Sequence, residues 1–439
     1  MLPNNKQANV QVLAFASQLV PAIIGVLSFM LLVRTASPMI LGQYVIYMAA
    51  VVLFEMIKSG GLQTALVMRA AGSSKAQLLN ITGSAYWLGA ILSFSLSVIL
   101  AILYFSGVFA HQPGIQVFCG WYALLGLVTL PLHIAEATAV ARQDLRFLLW
   151  LRVSQSANAL LIALYAYYKG GSLQNFATVH VCFTSFLLVM VLLCKKTNPL
   201  HIMHKTVAEV KALFGLIKYT LATLATTNLL KSADTFLIGM LMGPLAVASY
   251  AIPLKLTELF EIPLRSLSTT AFPQLAAKNN DRDHSAFKNC FIKYLSWAYL
   301  LYIPALIIAL IIAPYIVLFI GGAKYADTTP IFRMFILYAL LLPTDRMTGI
   351  SLDALQRPAM NFKKVFVMAT VNILADILAI TLTHQLIWVA FASVLNVATG
   401  AILGWYMLAR TGILANGNIW GQVYQYSFSF IKKGIVRFR

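Results

Sequence analysis

Long apolar stretches follow one another along this chain, each cut off by glycine, proline or charge. Twelve can be marked, at roughly 10–34, 39–58, 80–105, 115–140, 147–168, 173–194, 213–233, 243–272, 288–312, 330–352, 364–383 and 386–409. Each is near the roughly 20 residues needed to cross a hydrocarbon layer of about 30 Å. A helix satisfies its own backbone hydrogen bonds, so it can cross lipid as a single segment. The pattern therefore predicts an all-α, polytopic membrane protein with twelve transmembrane helices. The start, MLPNNKQANVQVLAFASQLVP, has no small-residue cleavage site after a short apolar core and reads as a retained first helix.

The pattern repeats. At an offset of 206 residues, SPMILGQY from Ser37 aligns with GPLAVASY from Gly243. In the same register Leu53-Phe54-Glu55 falls on Leu259-Phe260-Glu261, and Ala70-Ala71 on Ala276-Ala277. A weaker echo pairs TLPLHIAEATAVARQDLRF from Thr129 with LLPTDRMTGISLDALQRPAMNF from Leu341. With a 6+6 helix count this predicts two pseudo-symmetric six-helix lobes: residues 1–198, residues 199–411, and a basic tail, 412–439, read as an interfacial helix. Parallel repeats around a central cavity are a transporter's arrangement, with rocking of the lobes as the natural motion.

Composition sharpens the class. Hydrophobic residues make up 60% and charged residues only 10% of the 439, against about 25% charged in soluble domains. The net charge of +19 would suggest nucleic acid on a soluble chain. Here it is topological, and no nucleic-acid partner is expected. With both termini inside, 23 of the 32 Lys and Arg fall on inner segments and three, Arg34, Lys169 and Lys324, on outer loops. That asymmetry places the N and C termini in the cytoplasm. The four cysteines lie in or beside apolar runs without metal-site spacing and read as free thiols.

Charges inside spans cost about 2.5–3.5 kcal/mol each, so by default they face a cavity and mark function. The second run carries Glu55 and Lys58. The seventh carries Lys218 and a polar stripe of Thr220, Thr223, Thr227, Lys231 and Asp234 at helical spacing. The eighth carries Lys255, Glu258, Glu261 and Arg265. Glu55/Lys58 and Glu261/Arg265 hold equivalent places in the repeat, each an acid followed a turn later by a base. The alternative is that these are structural ion pairs or snorkelling side chains, but their density favours a cavity. Its flexible cations suit an anionic group, phosphate above all. Asp281-Arg282-Asp283 reads as a solvated loop, His201/His204 lack partner ligands, and the GxxxG at Gly400 and Gly404 reads as close packing. No catalytic motif, metal site or cofactor site is visible.

The residues assembled so far resemble a family. LLVRTASPMILGQYVIYMAAVVLFEMIKSGGLQTALVMRAAG resembles the opening of polysaccharide (Wzx-type) flippases in the MATE-like MOP exporter superfamily. ADTFLIGMLMGPLAVASYAIPLKLTELFEIPLRSLSTTAFPQLA resembles the start of their second half, with Asp234, Gly239, Gly243, Tyr250 and Phe272-Pro273 in place. One departure is Ser37-Pro38 where Gly-Pro is usual. The resemblance implies export of a polyprenyl-pyrophosphate-linked oligosaccharide from the inner to the outer leaflet of a bacterial inner membrane by alternating access, for surface polysaccharide synthesis. It implies no enzyme activity. Lys58, Lys218, Lys231, Lys255 and Arg265 would hold the pyrophosphate or acidic sugars, while Glu55, Asp234, Glu258 and Glu261 orient them or carry a coupling proton. Protons, Na+ or the membrane potential would drive the cycle. Membrane lipids and other polysaccharide-assembly proteins are the expected partners. A cation-coupled MATE-type exporter of small organic molecules is the nearest rival. A membrane polysaccharide polymerase or ligase is more distant, because it needs a sizeable outer loop.

Overall fold

The computed structural model describes residues 4–281, 283–413 and 420–426, with side chains throughout except at 4–12, 14–15, 218–231 and 280. Long helices account for nearly all of it: α1 (Asn4–Thr35), α2 (Pro38–Glu55), a π-helical turn (Met56–Gly60), α3 (Gly61–Ala70), α4 (Lys75–Phe105), α5 (Pro113–Ala141), α6 (Leu145–Lys169) and α7 (Leu173–Leu193). After a 3-10 turn (Pro199–His204) come α8 (Val207–Leu241), α9 (Pro244–Asn280), α10 (His284–Gly321), α11 (Thr329–Ala354), α12 (Pro358–Thr383) and α13 (Leu386–Arg410). Because α2, the π turn and α3 form one continuous rod, the described residues make twelve long rods, in the order the apolar runs predict. Ten contain a window long and apolar enough to cross a membrane. The protein is a multi-pass membrane protein. α9 is not among the ten, since its length carries Lys255, Glu258, Glu261, Arg265 and a run of hydroxyls.

One boundary differs from expectation. The second apolar run reads as ending at Lys58, where a charge and Ser59-Gly60-Gly61 follow, yet the rod runs on to Ala70. The lysine is fully partnered, and Gly60 and Gly61 keep right-handed helical angles. Lys58 therefore lies well inside a rod rather than at its mouth.

Two compact units divide the chain, Met1–Ala248 and Ser249–Arg439. In the first, α3, α4, α5 and α8 close around Leu62, Leu66, Tyr86, Ile134 and Leu213, while α5, α6 and α7 meet over Leu132, Leu151 and Leu187. In the second, the core gathers Leu275, Phe287, Phe291, Leu295, Met347 and Leu408. Residues 420–426 are helical, and Val423 joins that core. Trp420 stacks on Trp405, with centroids 5.3 Å apart and rings 10° from parallel.

The duplication is written in the backbone as well as in the sequence. Gln143 and Gln356, in the turns after α5 and α11, both adopt the left-handed conformation, with φ of 56° and 58°. Each turn closes with the same six-residue bond, Asp144 N to Ala139 O at 2.9 Å and Arg357 N to Leu352 O at 3.0 Å, which satisfies an otherwise orphaned helix-end carbonyl. A carboxylate before each turn pairs with a cation after it: Glu136 with Arg152 and Asp345 with Lys364, both at 2.8 Å. Both repeats also open on proline at the first helical position. Before Pro38, the Ser37 side chain caps α2 by accepting the Ile40 amide. Before Pro244 stands Gly243, with φ of 89°. A capping serine and a left-handed glycine, each followed by proline, are two ways of starting the same helix.

Candidate functional site

The most heavily bonded polar group inside the first unit is Lys58. Its side chain has 0% exposure, and its ammonium donates to Glu55 Oε1 at 2.7 Å, to the Gly126 carbonyl at 2.9 Å and to Thr129 Oγ1 at 2.6 Å. An ammonium has three protons to donate, so it is saturated. The π turn helps to build this. Glu55 and Lys58 flank its start, and the Ser59 hydroxyl ties back to the Glu55 carbonyl at 2.6 Å. Single π turns gather at functional sites because they break the regular presentation of side chains.

The second oxygen of Glu55 meets His133 Nε2 at 2.8 Å, and Gln63 Nε2 approaches His133 Nδ1 at 2.7 Å. An amide nitrogen only donates, so Nδ1 accepts and Nε2 carries the proton that goes to Glu55. Beside these groups lies a cavity of about 130 Å³ lined by Thr129, His133, Gln155, Asn158, His180 and Thr184. That is room for a few waters, at about 30 Å³ each. Tyr47 and His180 Nδ1 share a hydrogen bond of 3.0 Å on its far wall.

The second unit places its charges differently. On α9, Lys255 meets Glu258 at 2.6 Å and Arg265 meets Glu261 at 2.7 Å. Glu258 and Arg265 are each 52% exposed and Lys255 29%. The opposite stripe of α9 is buried, through Leu256, Leu264, Ala271 and Leu275. Tyr302 anchors it by donating to the Phe260 carbonyl. The exposed face, with Ser266, Thr269 and Thr270 continuing it, is a largely polar strip along the rod, interrupted by Leu259 and Phe272. Such a strip belongs against water rather than acyl chains.

The structure thus brings Glu55 together with Lys58, Lys255 with Glu258, and Glu261 with Arg265. Asp234 is buried in α8. The side chains of Lys218 and Lys231 lie outside the described residues. Five cations inside helices, Lys58, Arg152, Lys255, Arg265 and Lys364, each have one carboxylate at salt-bridge distance, while Arg333 and Arg346 on α11 stand outside these pairs. Arg152 and Lys364 read from sequence as loop charges but lie one to two turns inside α6 and α12.

Sequence reasoning missed His133, Gln63 and Thr129. A signal was present in the repeat: Pro131 and Pro343 each lie inside a helix, and two residues on stand His133 and Asp345, each a partner in its unit's buried charge network.

The chain is thus a multi-pass helical protein with repeated backbone features and an exposed charged strip on α9. The chain belongs to the family of polysaccharide biosynthesis proteins, whose model matches residues 31–330. It is 19% identical over 193 residues to a protein of Haloferax volcanii described as the probable low-salt glycan biosynthesis flippase Agl15, a match spanning 44% of this chain and 41% of that one. Its fold is similar to an inward-facing multidrug resistance MATE family transporter of the MOP superfamily, with TM-score 0.76, 14% identity, and coverage of 92% of this chain and 98% of the other. It is also similar to the lipid II flippase MurJ in an inward closed conformation, with TM-score 0.71, 14% identity, and coverage of 98% and 92%. The fold is that of the MOP superfamily.

Proposed function

We propose that this protein is a flippase that carries a polyprenyl-pyrophosphate-linked oligosaccharide from the inner to the outer leaflet of a bacterial inner membrane, by alternating access and without catalysis, with both termini cytoplasmic. The observation that carries this reading is the charged strip of α9 in a chain of the polysaccharide biosynthesis family. Sugar hydroxyls and a pyrophosphate cannot enter hydrocarbon unaided, because each unsatisfied polar group costs several kcal/mol there. A wet strip of paired charges and hydroxyls replaces their hydration. Lys255 and Arg265 would exchange their carboxylate partners for phosphate oxygens, Lys218 and Lys231 are proposed as further cations for the same group, and Glu258, Glu261 and Asp234 would orient the sugars. Lys58 reaches substrate only when Thr129 and Gly126 release it.

Glu55 is the group proposed to carry a coupling proton, through His133. An inside-negative potential would also favour outward movement of anions, by about 2.3 kcal/mol per charge per 100 mV.

The reading is tested by cysteine labelling. In a cysteine-free background, Glu258→Cys and Thr269→Cys are expected to react with a membrane-impermeant maleimide, while Leu310→Cys on the apolar surface of α10 does not. Equal protection of all three would remove the aqueous strip, and the proposal with it.

One observation favours a second reading. Five cations inside helices are neutralised in pairs, which suits a cation-coupled exporter of small organic molecules as well as an anion carrier. Ion flux stimulated by organic cations, without movement of lipid-linked sugars, would decide for that reading.

A further inference from the structure

The largest polar cavity described in the first unit lies away from the charge networks discussed above. It encloses about 740 Å³, within the 300–1,000 Å³ usual for ligand pockets. α4, α5, the end of α7 and the 3-10 turn wall it in. Three lysines, Lys75, Lys195 and Lys196, line it, and no carboxylate does. Asp144 takes Lys196 from outside at 2.7 Å, and that hydrogen bond holds the Asp144 carboxyl below its usual pKa. Lys75 and Lys195 make no ion pair among the described residues.

Lys75 is held where a lysine gains nothing from its own helix, and Lys195 in a backbone conformation that costs a residue other than glycine. Lys75 is the first residue of α4, a helix end that is itself partly positive and favours acids. Lys195 ends α7 in the left-handed conformation, with φ of 53°, which glycine adopts at lower cost. Between them lies a floor of neutral donors. Thr82 Oγ1 lies 3.3 Å from His201 Nδ1, and Tyr86 is hydrogen-bonded to Thr197.

The walls are pre-formed. A Cβ at Gly83 would collide with the His201 carbonyl, so α4 and the 3-10 turn are in backbone contact. Ser84 Oγ accepts the Thr206 amide at 3.2 Å. Around the rim the polarity changes abruptly: Leu79, Leu193, Leu200 and Met203 are exposed. On the 3-10 turn Leu200 and Met203 share one face while Ile202 packs on the core. In a membrane protein such a collar of exposed apolar side chains marks the depth at which headgroups give way to acyl chains.

We propose that this cavity binds the phosphate headgroup of an anionic membrane phospholipid. Lys75 and Lys195 meet the phosphate, His201 and Thr82 meet the glycerol or headgroup hydroxyls, and the acyl chains leave over Leu79, Leu193, Leu200 and Met203. Basic pockets between helices at the cytoplasmic face are a known way of holding such lipids. The site does not depend on the flippase reading, since it needs only a membrane-embedded chain.

The test is a thermal-stability titration of the purified full-length protein in non-ionic detergent. The probes are dioctanoyl-phosphatidylglycerol, dioctanoyl-phosphatidylcholine, inorganic pyrophosphate and farnesyl pyrophosphate. Phosphatidylglycerol is expected to half-saturate at a concentration at least tenfold lower than phosphatidylcholine. Lys75→Gln/Lys195→Gln raises that concentration at least tenfold, Lys75→Arg/Lys195→Arg restores it, and Lys211→Gln/Lys278→Gln, which removes equal charge elsewhere, leaves it unchanged. Since both lysines are exposed, the unliganded melting temperature of the glutamine variant matches the native one. Equal half-saturation by the two phospholipids, or equal loss in the Lys211/Lys278 control, would overturn the proposal. Saturation by inorganic pyrophosphate alone would transfer the site to a soluble phosphate compound. Farnesyl pyrophosphate binding tenfold more tightly than phosphatidylglycerol would make it an entry point for the substrate. Either result would end the phospholipid assignment.

Discussion

Glu55→Gln and Glu258→Gln make the same chemical change in the same sequence arrangement, a carboxylate beside a lysine one turn away, yet they should differ widely in cost. Lys58 has no exposed surface, and Glu55 provides the only negative charge among its three partners. Removing that carboxylate leaves a buried, uncompensated ammonium, a loss of about 3–5 kcal/mol. At about 2–4 °C per kcal/mol for a unit of this size, the melting temperature should fall by at least about 6 °C. Glu258 is 52% exposed and Lys255 29%, so their pair is worth no more than about 1 kcal/mol, and Glu258→Gln should shift melting by a few degrees at most. The double variant Glu55→Gln/Lys58→Met removes both charges and should recover most of what Glu55→Gln loses. Melting is followed by size-exclusion chromatography of detergent-solubilised protein after heating. Equal shifts for the two single variants, or a double variant as unstable as Glu55→Gln, would refute the claim that burial separates the two pairs.

Three further outcomes follow from the packing. A Cβ at Gly404 would strike the Thr348 side chain, and one at Gly400 the Asp345 carboxylate and Met368. Gly404→Ala should therefore cost about 1–3 kcal/mol by overpacking, and an unchanged melting temperature would contradict that close approach. At Gly42 a Cβ would enter the Pro244 carbonyl, which is backbone and cannot move aside, so Gly42→Ala should reduce the yield of monodisperse protein more than Gly25→Ala, whose site is open. Asp144 titrates below its usual value because of Lys196. Its stabilisation is therefore complete above about pH 4 and lost as pH falls below that, and Asp144→Asn should flatten the acid limb of melting temperature against pH.

The helix order was legible because each span is a long apolar run with punctuated ends, and the duplication because Pro, Gly and Glu recur in register. The chemistry around Lys58 was not legible in the same way. Ser59-Gly60-Gly61 looks like a stop signal, and only tertiary contacts with Gly126 and Thr129, some seventy residues away, turn it into the inside of a rod. His133 sat in view with Glu136 as a polar break in TLPLHIAEATAV, but its partners come from other helices, and spacing along α5 does not name them. The pairing of Glu261 with Arg265 was readable, since both lie on one helix a turn apart. Arg152 and Lys364 read as loop charges because their carboxylates lie across a helical hairpin.

The most direct measurement of the central claim is transbilayer movement of a labelled polyprenyl-pyrophosphate oligosaccharide in proteoliposomes, with native protein beside Lys255→Ala/Arg265→Ala. The account predicts movement with the native protein, and a loss of at least tenfold in the variant while its melting temperature stays near native, since both side chains lie on the exposed strip. No movement with the native protein across several head groups, or undiminished movement with the variant, would contradict it.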